Sequence, residues 1–139
     1  MDLIRIFKAI VTILMVILFI TLLFSAYHHQ NVVISTAGLV DATGTIANHL
    51  ALDELAVRLG NLVLEYTVDP ERVNSLEFCE TVGGENFGYR LRIRSEGMDI
   101  EAGPPAQEGR ETCSIVLPVC VFENFRRIPG KMEVVVWRA

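Results

Sequence analysis

Charge is missing from one long stretch of this sequence. The 19 residues from Ala9 to Tyr27 contain no Asp, Glu, Lys or Arg, and no proline occurs before Pro70. At about 1.5 Å per residue, a helix of this length reaches about 28 Å, close to the roughly 30 Å thickness of a bilayer's hydrocarbon core. The absence of charge and of helix breakers predicts one membrane-spanning helix near the N-terminus.

Histidine, cysteine and basic residues are scarce, and each shortage excludes a class of function. The chain has 3 His and 3 Cys, and no His follows His49, so the C-terminal part cannot build a Ser–His or Cys–His nucleophile pair. No CxxC pair, GxSxG elbow or phosphate-binding glycine loop occurs. With 12 Lys and Arg against 17 Asp and Glu, the chain is unsuited to nucleic acid. We therefore expect no enzymatic activity, no metal, no cofactor and no small-molecule substrate.

The residues that flank the uncharged stretch predict its orientation. Arg5 and Lys8 precede it, whereas the next basic residue is Arg58. Because basic residues on short loops stay on the cytoplasmic side, the N-terminus is expected inside and the C-terminal part outside the cytoplasm. A cleaved secretory signal is disfavoured, since its best cut, after Ala26, would place the bulky Phe24 where a small residue is needed.

The segment after the uncharged stretch has helical periodicity. From Ser35 to Tyr66 the apolar residues recur at helical spacing, and Asp69-Pro70 ends the pattern, because the residue before a proline is pushed out of the helical region. We therefore predict a membrane helix with its basic flank over residues 1–27 and an amphipathic helix that continues it over residues 28–67.

Small residues recur along this second segment. Gly44, Ala47 and Ala51 fall at positions i, i+3 and i+7, a spacing that lets the helices of neighbouring subunits approach closely. Glycine inside a helix costs about 1 kcal/mol relative to alanine. Gly38 and Gly44 are therefore equally compatible with a hinge between the membrane helix and the outer helix.

From Pro70 onward the apolar period changes from helical to two, which is typical of strands. The predicted strands are Leu76–Val82, Phe87–Ser95, Met98–Ala102, Thr112–Phe122 and Lys131–Trp137. Pro118 indicates a bend or a sheet edge. Together these elements predict an α+β fold, in which a long N-terminal helix is followed by a small antiparallel β domain over residues 68–139.

The clearest strand carries a row of three arginines. In YRLRIR, alternation places Arg90, Arg92 and Arg94 on one face of the strand. The row either docks an acidic partner or a surface glycan, or is a solvated strand face that pairs with carboxylates of the same chain.

All three cysteines lie in the part expected outside the cytoplasm, where disulfides form. Cys113 and Cys120 are seven residues apart and would face opposite sides of a straight strand. We therefore predict a disulfide between Cys79 and Cys113, with three buried thiols as the alternative.

This layout resembles the type IV pilin superfamily, in particular archaeal pilin-like and TadE-like minor pilin proteins. Lys8-Ala9-Ile10-Val11 is similar to the archaeal prepilin peptidase pattern, which implies cleavage near Lys8, Ala9 and Ile10. The stretch from Leu117-Pro118-Val119 to Val136-Trp137 also looks like the terminal strands of archaeal pilin-like proteins. Leu14 departs from the pattern, because many bacterial pilins carry a glutamate at the corresponding position.

The resemblance implies a non-enzymatic structural subunit of a surface filament or of its assembly machinery. Its helix would pack inside, against copies of itself or other pilin-like subunits, and its β domain would lie outside. The alternative is a single-pass, membrane-anchored module that binds the cell envelope through the arginine row.

Overall fold

The first element of the fold is one long helix. The computed structural model describes residues 2–139, and helix α1 runs from Asp2 to His49, which confirms the predicted N-terminal helix. A π-helical turn, Leu50–Glu54, ends it, and Leu55 N donates to Leu50 O at 2.9 Å. The chain divides into two compact units, Met1–Ala37 and Gly38–Ala139, so the last turns of α1 belong to the second unit.

The helix ends earlier than predicted. The amphipathic helix expected over residues 28–67 is wrong beyond the π turn, because β1 (Ala56–Leu59) and β2 (Leu62–Val68) form an antiparallel hairpin there. Gly60 and Asn61 make the two-residue turn, and Gly60 has a φ of 64°. A glycine with positive φ at the first turn position is what a type II′ hairpin needs.

The remaining chain completes one seven-stranded sheet. After a 3₁₀ turn, Pro70–Ser75, the strands are β3 (Cys79–Val82), β4 (Glu85–Ser95), β5 (Met98–Ala102), β6 (Thr112–Glu123) and β7 (Arg126–Arg138). Their order is β1-β2-β6-β7-β4-β3. β5 pairs with the later part of β4, from Leu91 to Ser95, whereas β3 pairs with the first residues of β4. The α+β fold is therefore confirmed, and all five predicted strands are present.

One strand pair departs from the antiparallel prediction. β2 runs parallel to β6 and pairs with it through Thr67–Cys120 and Val68–Val121. Just before this contact β2 is irregular, and Tyr66 has a φ of 55°. The sheet is mixed, and no local pattern could reveal this pair, since three other strands separate β2 from β6 along the chain.

The core lies between the sheet and the last turns of α1. The sheet contributes alternate residues of its central strands: Phe87, Tyr89, Leu91, Ile93, Val119, Val121, Met132, Val134 and Val136. The helix and the turn after it contribute Leu39, Ala42, Ile46, Ala47, Leu50, Ala51 and Leu55. Each of these side chains is at most 4% exposed. The helical members recur every three or four residues, as on one face of an amphipathic helix.

Two glycines allow neighbouring strands to approach closely. A Cβ on Gly88 would lie 2.6 Å from Nε1 of Trp137, and a Cβ on Gly130 would lie 2.6 Å from the backbone oxygen of Arg94. Trp137 fills the space over Gly88 and is 6% exposed, although it points away from the core. Pro118 lies on β6 before its short pairing with β2, where β7 is its partner, so it takes the edge position that was one of the two predicted alternatives.

Candidate functional site

The N-terminal part of α1 presents apolar side chains on all sides. Every residue from Asp2 to Ile34 is exposed. Among residues 2–139, α1 with its π turn is the one helix long and apolar enough to cross a membrane. Beyond the uncharged stretch, Val32, Val33 and Ile34 are still 50%, 52% and 61% exposed. A helix that is apolar all round needs lipid or other apolar helices around it.

The residues of the predicted cleavage site are part of this helix. Lys8, Ala9 and Ile10 lie in α1 and are exposed. Thr12 Oγ1 donates to Lys8 O at 2.8 Å, in addition to the helical backbone bonds. A peptidase would therefore have to unwind this turn before cutting it, and the cleavage stays a prediction.

The small residues of α1 face the domain's own sheet. Ala47 and Ala51 are both 0% exposed and belong to the core cluster. Gly44 is half-buried, and apart from its chain neighbours and the nearby helix backbone no described atom lies within 4 Å of the place a Cβ would occupy. The predicted face for packing against neighbouring subunits is therefore wrong for both alanines, whose small size lets α1 approach its own sheet. α1 is continuous through Gly38 and Gly44, so neither glycine marks a local break, and the alternative of a hinge stays a prediction.

Two of the three arginines in the row are paired with β5. Arg92 Nε and Nη2 donate to the two carboxylate oxygens of Asp99, at 3.0 Å and 2.7 Å, and Arg90 forms a salt bridge with Glu101. Arg94 is exposed, and its cross-strand neighbour Asp99 is already bound by Arg92. Pairing within the chain is thus confirmed for Arg90 and Arg92, which leaves Arg94 as the member best placed to meet a partner.

The bidentate contact changes the titration of Asp99. Hydrogen bonds from Arg92 hold the pKa of the Asp99 carboxyl below its usual range. Because this pKa is lowered in the folded state, the contact stabilises the fold while Asp99 is ionised, and this contribution is lost as the pH falls through the lowered pKa.

Replacing Arg92 tests this effect directly. Arg92→Gln should return the pKa of Asp99 toward its ordinary value, as measured by NMR titration of the side-chain carboxyl carbon. Arg58→Gln is the matched control, because it removes the salt-bridge partner of Asp53 and should leave Asp99 unchanged. An Asp99 pKa that is the same with and without Arg92 would show that the bidentate contact does not persist in solution.

The three cysteines are free thiols, so the predicted disulfide between Cys79 and Cys113 is wrong. Cys79 of β3 lies opposite Gly88 of β4, which in turn lies opposite Trp137 of β7. Trp137 lies opposite Thr112 of β6, and Thr112 directly precedes Cys113. Three strand spacings of about 4.8 Å each therefore separate the two cysteines along the sheet, well beyond the roughly 7 Å between Cα atoms that a disulfide tolerates.

A cluster of ionisable side chains at the end of α1 was not predicted. His49 Nδ1 lies 2.9 Å from Glu80 Oε1, and His49 Nε2 lies 3.4 Å from Asp53 Oδ2. Burial raises the pKa of the nearby Glu54 carboxyl, and the charge of His49 opposes that rise. The i, i+4 spacing of His49 and Asp53 could have predicted their contact on a helix. The contact with Glu80 could not be predicted in this way, because Glu80 lies in β3. The cluster joins the end of the helix to the sheet.

Tyr89 lies beside this cluster and remains neutral at physiological pH. Burial raises the pKa of its phenol, and the negative charges of Glu54 and Glu80 raise it further. Its ring packs against Phe78, with the centroids 5.7 Å apart. Within residues 2–139, no three or more His, Cys, Asp and Glu side chains are arranged to hold a metal ion.

No protein-family model, curated protein or solved structure matches this chain. Its function therefore has to be inferred from its own residues and their geometry.

Proposed function

We propose that this protein is a pilin-like structural subunit. The apolar part of α1 inserts among the helices of other subunits, and the β domain lies outside the cytoplasm. The observation that carries the proposal is the exposed apolar surface at Val32, Val33 and Ile34, beyond the stretch that suffices to cross a bilayer. A simple anchor would leave these side chains in water, whereas neighbouring helices in a filament would cover them.

The energetics favour such a covering. Full burial of a valine or isoleucine side chain is worth about 1.5–3 kcal/mol relative to exposure. Association through this part of α1 therefore offsets part of the cost of ordering the subunits. It does not use Ala47 or Ala51, which are already buried in the β domain.

Photo-crosslinking from position 33 tests this arrangement. A photoreactive amino acid in place of Val33, in protein made in its native cells, should crosslink to apolar helices of other copies or of other pilin-like subunits. Leu62, which is 59% exposed on the β1–β2 hairpin, is the matched apolar control and should not give these products. Mass spectrometry of the adducts identifies the partner peptide. Labelling of lipid alone at position 33 would contradict the filament role.

A second candidate function is a membrane-anchored module that binds an anionic component of the cell envelope. Arg94 lies directly opposite Lys131 across β4 and β7, and both side chains are exposed. Like charges at facing positions destabilise a sheet, and an anion bound between them would relieve this repulsion. Lipid-only adducts at position 33, together with envelope binding that Arg94→Glu abolishes, would favour this module over the filament subunit.

A further inference from the structure

The ionisable cluster at the end of α1 has no role in the proposed filament subunit. His49, the last residue of α1, contacts Glu80 of β3. β3 has 4 residues and lies at the edge of the sheet, and within residues 2–139 its one strand partner is β4. The contact between His49 and Glu80, here called the α1–β3 contact, therefore joins a short edge strand to the end of the helix.

Both ring nitrogens of His49 face carboxylate oxygens. Nδ1 lies 2.9 Å from Glu80 Oε1 and 3.9 Å from Glu54 Oε1, and Nε2 lies 3.4 Å from Asp53 Oδ2. A neutral imidazole carries a proton on one nitrogen only, whereas the imidazolium carries a proton on each. The protonated ring is therefore the form in which neither nitrogen directs a lone pair at a carboxylate.

The α1–β3 contact depends on the charge of the ring. His49 Nδ1 is buried, and within residues 2–139 it makes no aligned hydrogen bond, although Glu80 Oε1 is 2.9 Å away. A close ion pair without hydrogen-bond alignment is held by the Coulomb attraction between its two charges. When the ring loses its proton this attraction disappears, and the contact loses its main source of stability.

Carboxylates from two segments act on this cluster. The π turn contributes Asp53 and Glu54, β3 contributes Glu80, and Glu77 lies just before β3. Burial raises the pKa of the Glu54 carboxyl, His49 opposes that rise, and the charges of Glu80, Asp53 and Glu77 add to it. The carboxylates therefore repel one another when they are ionised, and the imidazolium offsets this repulsion.

The other ionisable groups near the cluster have separate partners. Arg58 of β1 pairs with Asp53 at 2.8 Å, and Arg72 of the 3₁₀ turn donates to the backbone oxygen of Glu54 at 3.4 Å. Burial raises the pKa of the Tyr89 phenol of β4, so this group stays neutral at physiological pH. Within residues 2–139, the salt bridge of the β3 carboxylate is made by the histidine.

We propose that the α1–β3 contact is a pH-sensitive device: protonated His49 holds β3 against the end of α1, and loss of that proton loosens β3. Imidazole side chains change charge between about pH 5 and 8. Because the folded protein favours the protonated ring, the contribution of the contact is present at the acidic end of this range and is lost as the pH rises. Ionisation of Glu54 acts in the same direction, since a carboxyl whose pKa is raised by folding destabilises the fold when it ionises. The device does not depend on the filament role.

Hydrogen–deuterium exchange of the full-length chain in neutral detergent micelles tests the device. Peptides that cover β3 are compared at about pH 5.5 and about pH 8, either side of the usual imidazole transition, with labelling times scaled for the intrinsic pH dependence of exchange. The protection of β3 should fall by about 2- to 5-fold at the higher pH, as expected for a partly exposed ion pair. Peptides from β7, in the middle of the sheet, should keep their protection and serve as the internal control.

Variants separate the charge of the ring from its shape. His49→Gln and Glu80→Gln each remove one charge of the pair, so β3 should have the lower protection at both pH values. His49→Lys keeps a positive charge at both pH values, so β3 should have the higher protection at both. His28→Gln changes an exposed histidine earlier in the same helix and should leave the pH dependence as it is. Unchanged protection of β7 establishes that the variants are folded.

Two results would each overturn the assignment of a pH-sensitive device. One is equal protection of β3 at the two pH values in the wild-type chain, because the charge of the ring would then have no effect on the strand. The other is a pH dependence of β3 that persists in folded His49→Gln, because the titrating group would then lie elsewhere.

Discussion

A fragment of residues 38–139 should fold in water without detergent, whereas a fragment of residues 56–139 should not fold. The difference between them is the buried end of α1 with the turns that follow, which includes Leu39, Ile46, Leu50 and Leu55, each at most 2% exposed. At about 1.5–3 kcal/mol for each fully buried large side chain, these four contribute roughly 6–12 kcal/mol, which is comparable with the whole stability of a typical domain.

Circular dichroism, amide NMR dispersion and thermal unfolding of the two fragments check this prediction. The longer fragment should give dispersed amide signals and one cooperative transition, and the shorter one neither. Because both fragments contain the complete sheet, they form a matched pair. Cooperative unfolding of residues 56–139 would mean that the sheet is stable without the helix, which would contradict this prediction.

Ala47→Leu should reduce the free energy of unfolding of the β domain by about 1–3 kcal/mol, because a larger side chain must be forced into a packed core. Ala47 is 0% exposed. Gly44→Ala, one turn earlier on the same helix, should instead stabilise the domain by up to about 1 kcal/mol, since a Cβ there meets no described atom within 4 Å outside its chain neighbours and the nearby helix backbone.

Chemical denaturation of the fragment of residues 38–139 measures both changes. If Ala47 packed against neighbouring subunits instead of its own sheet, the leucine would leave the stability of the isolated domain unchanged. The pair of variants therefore separates the intramolecular role of this helix face from the intermolecular role that its small residues suggest.

Sequence patterns predicted those helices and strands that depend on residues close together in the chain. An uncharged stretch with no proline has helix as its only satisfactory structure in an apolar environment, because every backbone group must bond within the segment. The alternation of side chains in Tyr89–Arg94 and the turn residues around it likewise identified β4, and the bounds Met98–Ala102 of β5 agree with the prediction. The missing N–H of Pro118 predicted a bend or an edge in β6, and the edge position is found.

Residues 56–68 show where the local pattern was insufficient. Leu55, Leu59 and Leu62 have helical spacing, yet Leu55 is 0% exposed while Leu59 and Leu62 are 48% and 59% exposed. A helix would have placed all three on one face against the core. The turn at Gly60 and Asn61 instead directs this segment to the sheet edge, where β2 gains its parallel partner β6.

The chemistry of single residues also depended on partners far away in the chain. Composition identified three cysteines and a row of arginines, but strand order separates Cys79 from Cys113 and brings Arg92 to Asp99. A groove near Phe125 likewise depends on the tertiary structure, since its lining comes from the β6–β7 turn, the 3₁₀ turn and β5.

The sequence by itself determined a long apolar helix, a β domain after it and the positions of five strands, because these follow from charge, side-chain periodicity and turn residues over short distances. Only the tertiary structure decided which side of α1 is buried, where the helix ends and which side chains meet. Those outcomes depend on contacts between segments distant in the chain, and the periodicity of one segment does not identify the segment that it packs against.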